Sequence, residues 1–301
     1  MDAVTAAFSG LFDYAGLFPP AGLPLDGVCQ RYGSYRAGRH AWMLGRLIVP
    51  VERIDETELA ASACGATVEE PWPVSVLVGT PPHGAAFVED MAERRHRPSC
   101  LRVEAVEAVA ATEADIQTLA AQWPEGDRFV EIPYDPDPAA LMASLSAFGL
   151  GAKLRAGGIT SDRFPTTAEA ARFLVGARNA KVPLKATAGL HHAIRGDYRL
   201  TYTPDGETGT MHGFVNLVLA ATLLIAGKID EGLADACLDD DRADAFKISG
   251  RAGSWLNGVV TYSEVAHARR CLLRSLGTCS FEEPVAEIEA LDFGLKGVDH
   301  A

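Results

Sequence analysis

Lys153 and Arg155 stand two residues apart in Ala152-Lys-Leu-Arg-Ala-Gly-Gly158, so on a strand they share one face, just ahead of a glycine pair. Two cations, with Gly157 and Gly158 letting a backbone approach a ligand closely, suit a carboxylate or a phosphate. Lys185 lies in a comparable segment, Pro183-Leu-Lys-Ala-Thr-Ala-Gly189. A lysine set among other cations loses its proton more readily and becomes a nucleophile, whereas a charged one clamps an anion. Glu131, between Val130 and Ile132, sends its carboxylate to the lysine face as general base, metal ligand or lysine partner. His191 and His192 follow the Lys185 segment directly. Neighbours on extended chain point opposite ways, so one of them faces the site, for proton transfer or metal binding.

Other residues extend this set. Arg102, with Glu104, repeats the alternation of charged and aliphatic residues and adds a cation to the face. Asp13 and Tyr14 belong to a segment rich in glycine and proline that reads as a loop over the mouth. His212 heads an apolar stretch, with Asn216 one turn on; both are candidate substrate contacts, and helix capping is the simpler role for His212. Cys279 has no histidine nearby in sequence, which disfavours a thiol nucleophile. Ser249-Gly-Arg-Ala-Gly-Ser254 has the composition of a phosphate cradle, but residues 255–260 read as a return strand, which favours an exposed hairpin. Ser280 reads as the N-cap of a final helix with Glu282 and Glu283 in its first turn.

Strands over residues 46–50, 74–79, 100–106, 129–134, 152–156, 183–188 and 245–249 must position these side chains. Helices over residues 25–38, 55–64, 85–94, 113–122, 138–148 and 167–179 intervene. This βα rhythm favours a parallel sheet, and charged residues drawn from many strands favour a closed barrel over an open sheet with one binding edge. The expected fold is an α/β, TIM-barrel-like (β/α) barrel, with residues 1–301 forming a single barrel-like domain. Its last strand is irregular, incomplete or very short, near residues 278–281. Residues 195–211 read as a long polar loop and residues 214–226 as a buried helix.

A net charge of −13 argues against nucleic acid or an anionic membrane as partner, and Arg94-Arg95-His96-Arg97 reads as a solvated helix end. The six cysteines form neither a C-x-x-C pair nor a disulfide framework and are expected to be reduced. The amino terminus lacks a basic region followed by an apolar stretch, and the longest apolar run, residues 213–227, is shorter than the ~20 residues that span a bilayer. A cytoplasmic protein is expected, with a homo-oligomer left open.

The Lys185 segment resembles the Schiff-base strand of class I aldolases such as deoxyribose-phosphate aldolase and dihydrodipicolinate synthase, which implies covalent capture of a carbonyl by Lys185. Ala15-Gly-Leu-Phe-Pro-Pro20, Lys153-Leu-Arg-Ala-Gly-Gly158, Lys185-Ala-Thr-Ala-Gly-Leu-His-His192 and Met211-His-Gly-Phe214 together resemble an uncharacterised bacterial family with a barrel-like α/β fold. That resemblance implies the fold and no activity.

The expected function is an enzyme for a small anionic metabolite, carboxylated or phosphorylated, with aldolase, lyase or isomerase chemistry through an enamine or enolate and no required cofactor. Two alternatives stand beside it. One is a lyase or hydrolase dependent on a divalent metal held by Glu131 and the histidines. The other is a metabolite-binding protein without catalysis.

Overall fold

In the computed structural model, which describes residues 2–291, eight parallel strands close a barrel. They are β1 (Phe12–Tyr14), β2 (Leu44–Pro50), β3 (Trp72–Gly79), β4 (Leu101–Val109), β5 (Asp127–Glu131), β6 (Gly151–Arg155), β7 (Leu184–Thr187) and β8 (Leu273–Thr278). Each strand pairs with the next, and β8 closes the ring on β1 with Asp13 opposite Gly277. The connecting helices start where the sequence supplies caps. Capping boxes at Thr112/Asp115, Thr166/Glu169 and Thr261/Glu264 each satisfy orphan amides of a first turn.

The closed α/β barrel agrees with the expectation, but both strands of its seam fall elsewhere than expected. β1 is a strand and not a loop, so Asp13 enters the barrel interior and Tyr14 packs outward on Tyr32. β8 covers 273–278, ahead of residues 278–281. Its inward positions Ser275 and Gly277 face a polar interior, which removes the apolar alternation that marks a strand. Residues 245–249 are not a barrel strand. Phe246–Ser249 pairs antiparallel with Ala252–Trp255, which pairs with Gly258–Thr261, and two-residue turns allow only antiparallel neighbours. A hairpin is therefore present at residues 249–254, but its return strand is Ala252–Trp255, and residues 255–260 contain a second turn where a strand was expected. The polar stretch 195–211 holds a further antiparallel pair, Gly196–Arg199 with Thr208–Met211.

Outward strand residues such as Leu47, Val74, Val76, Val106, Val130 and Leu184 are buried in the hydrophobic core, which includes the helix Phe214–Ile225. The interior differs from the layered branched aliphatics usual in such barrels. Its middle is ionic, with Asp13, Ser75, Glu107, Lys153, Lys185 and Ser275 all buried. β4 reaches this layer through a bulge. Val74 pairs with Val103 but Ser75 with Ala105, so Glu104 is an extra residue and the side-chain alternation reverses after it. The reversal turns Glu107 inward.

Gly45 secures the seam from the β2 side. A Cβ there would overlap Asp13 Oδ1, which accepts from Arg46 N at 2.7 Å, and would lie 3.2 Å from Gly10 O. Gly45→Ala is expected to cost about 1–3 kcal/mol through overpacking, read as a lower urea midpoint at unchanged slope.

Candidate active site

At the carboxyl ends of the strands, where barrel enzymes carry their sites, lies a cavity of about 520 Å3. Ala15, Phe18, Ile48 and Leu77 form its apolar lining; Glu107, Lys153, Arg155, Arg163, His191 and Cys279 bring the chemistry. A smaller hollow of about 370 Å3 adjoins it, shares Arg155 and Arg163, and is lined by Glu131 and Tyr134.

Beneath and beside the cavity runs a chain of alternating charges. Lys185 Nζ sits 2.5 Å from Asp13 Oδ2 and 2.6 Å from Glu107 Oε1. Glu107 Oε2 is 3.0 Å from Lys153 Nζ, which is 3.3 Å from Glu131 Oε2; Glu131 Oε1 is 3.6 Å from Arg155 Nη1. Ser275 and Ser75 hydroxyls donate to Asp13 (2.8 Å) and Glu107 (2.6 Å). Burial works against the charge on Glu107, but Lys185 and Lys153 outweigh it and hold that carboxyl well below the ordinary carboxylate range. For Lys153 burial again opposes the charge, and Glu107 and Glu131 raise its pKa above the ordinary lysine value. Asp13, Glu107 and Glu131 thus match Lys185, Lys153 and Arg155 one for one. The cations gathered on this face are neutralised within it, because Asp13 and Glu107 belong to it.

Lys185 lies under the cavity and does not line it. It is 0% exposed, and its immediate partners are two carboxylates, not the cations that would make it nucleophilic. Lys153 is the lysine that faces the cavity.

The opposite wall holds sulfur and imidazole. Cys279, the residue after β8, places Sγ 3.8 Å from His191 Nδ1 and 3.9 Å from Nε2. His191 Nδ1 is 3.2 Å from Glu283 Oε2, in the first turn of the helix Glu282–Ala290, and Tyr202 Oη is 3.7 Å from Cys279 Sγ. Burial disfavours a charged His191, but Cys279 and Glu283 overcome it and push its pKa up to about 9. The imidazole is therefore an imidazolium at neutral pH, donating to Glu283. The expected N-cap role of Ser280 is filled differently: Phe281 occupies the cap position, and Ser280 Oγ accepts from Glu283 N at 3.3 Å.

Several expected site residues lie elsewhere. Arg102 is at the amino end of β4, exposed and paired with Glu104, which also holds Arg46 (3.0 Å) at that end of the barrel. His192 turns away from His191, bonds Glu287 at 2.5 Å and stacks on Tyr198. His212 is buried with Nε2 2.8 Å from Pro165 O, and burial lowers its pKa. Asn216 is structural: Nδ2 donates to Cys237 O and Asp240 O, and Oδ1 accepts from Arg195 N. Gly157 leaves room for a ring rather than a ligand, since a Cβ there would meet Phe164 Cδ1 at 2.8 Å. Gly158 does line the cavity.

The residues added by the structure are Glu107, Arg163, Cys279 and Tyr202. Among the described residues no group of three or more His, Cys, Asp and Glu is arranged to hold a metal ion, so Glu131 and the histidines do not form the expected metal set. No described helix is long and apolar enough to cross a membrane.

No family model matches the chain, and no curated protein matches it. A crystal structure of nitroalkane oxidase from Streptomyces ansochromogenes is similar with a TM-score of 0.35 and 13% sequence identity, over 64% of this chain. The chain covers 62% of that protein.

Proposed function

We propose that the protein is an enzyme for a small carboxylated or phosphorylated metabolite, with lyase or isomerase chemistry through an enolate. The Lys153 ammonium carries this reading. It faces the cavity, is almost fully buried, and is kept charged by Glu107 and Glu131. A cation fixed in advance stabilises a developing oxyanion without reorganisation. The substrate anion binds the half-exposed Arg155 and Arg163 at the rim, and its carbonyl oxygen meets Lys153. Glu131, which pairs with Arg155 and Lys153 and lines the adjoining hollow, takes a proton from the carbon beside that carbonyl, and the His191 imidazolium returns one. An enolate fits better than a Schiff base on Lys185, whose Nζ is engaged by Asp13 and Glu107 below the cavity.

Calorimetry with pyruvate, malate and glycerol phosphate tests the anion site. A charge-assisted hydrogen bond is worth roughly 1.5–3 kcal/mol, so Arg155→Ala is expected to weaken the bound anion about 10- to 100-fold, and Arg155→Ala with Arg163→Ala to abolish binding. Equal affinity in the double variant and the unaltered protein would sink the reading.

A further inference from the structure

We infer that Cys279 and His191 form a reactive thiol–imidazole pair on the cavity wall, able to add reversibly to the carbonyl carbon of an aldehyde or 2-oxo acid. The substrate class rests on the anion site proposed above; the reactivity of the sulfur does not. Four separate elements bring the pair together. Cys279 follows β8, His191 follows β7, Glu283 opens the last described helix, and Tyr202 lies between the two short strands Gly196–Arg199 and Thr208–Met211. A nucleophile, a basic ring beside it and a carboxylate that orients the ring are the parts that activate a thiol. Both ring nitrogens lie within 4 Å of sulfur, so the ring can exchange a proton with the thiol as it reacts.

The other cysteines lack this setting. Cys100 bonds a backbone carbonyl, Cys237 does likewise, and burial raises the pKa of Cys29 to about 12. Among the described residues Cys279 is the cysteine that bonds a histidine, and it alone of the six lines the cavity.

In the addition, a sulfur lone pair forms the S–C bond while the C=O π pair moves to oxygen. The His191 ring proton passes to that oxygen and the thiol proton takes its place on the ring, leaving a thiohemiacetal and the ring as it was. Reversal restores thiol and carbonyl, and no electron acceptor is needed.

Iodoacetamide labelling of the full chain at pH 7, read by peptide mass mapping, tests the pair. A thiol that can pass its proton to a positioned ring is expected to react several-fold faster than one without such a partner. Cys279 is expected to outpace the half-buried Cys64 and Cys271 by that factor, to lose the advantage in His191→Gln, and to be protected by glyoxylate. Glu283→Gln, which frees the ring while keeping it, is expected to slow labelling in part and serves if His191→Gln fails to fold. Labelling no faster than Cys64, or indifferent to both variants, overturns the pair. Fast labelling that glyoxylate leaves untouched overturns the carbonyl addition. Calorimetry on Arg155→Ala, which does not touch sulfur, reports separately whether the anion site fails.

Discussion

Lys185→Met is expected to lower folding stability by about 3–5 kcal/mol, because it leaves Asp13 and Glu107 as buried carboxylates with no common counter-charge. Methionine replaces the aliphatic stem well, so little of the loss comes from packing. Domains hold only about 5–15 kcal/mol in total, so the variant is expected to unfold at a much lower guanidinium concentration. Adding Asp13→Asn removes the carboxylate whose ion pair was with Lys185 and is expected to recover part of the deficit. A single variant within about 1 kcal/mol of the parent would mean that the interior charges do not act as a unit.

The second large effect is a loss of stability between neutral and mildly alkaline pH. His191 has a folded pKa of about 9, raised from an ordinary value of 6.5. Between these values the folded state binds more protons than the unfolded one, so stability falls as pH rises. The contribution is complete below pH ~6.5 and lost as pH passes ~9; at 1.36 kcal/mol per unit it is on the order of 3 kcal/mol. Urea midpoints across this range are expected to decline in the parent and to stay much flatter in His191→Gln. Glu107 acts in the opposite sense. Its pKa is depressed, so its contribution is present above the ordinary carboxylate value and disappears as acid drives pH down through the folded one.

Much of this architecture is legible in the sequence. The βα rhythm gives the barrel, and alternation around Lys153, Arg155 and Glu131 gives the ionic interior, because side chains two apart on a strand must share a face. What alternation cannot give is depth along the strand. Arg102 shares the inward face yet sits at the amino end, while Lys153 sits at the cavity. Nor does strict alternation survive a bulge, and Glu107 escapes notice because the extra residue Glu104 moves it to the other face. β1 is three residues long, too short to show any period. The Cys279–His191 contact joins residues 88 apart and exists only when β7 and β8 are neighbours. His212 and Asn216 misled for a different reason: polar residues at the head of an apolar helix can serve the backbone around them as readily as a ligand.

The pairing of β1 with β8 bears on how the chain is made. Asp13 leaves the ribosome 262 residues before Ser275, its hydrogen-bond partner, exists. Through most of translation β1 therefore has an empty edge, and the growing sheet stays an open arc with its charged lining turned to water. Contacts this distant in sequence are slow to form. Closing the arc has to wait for β8, and until then the unpaired strand edges are what a chaperone would have to shield.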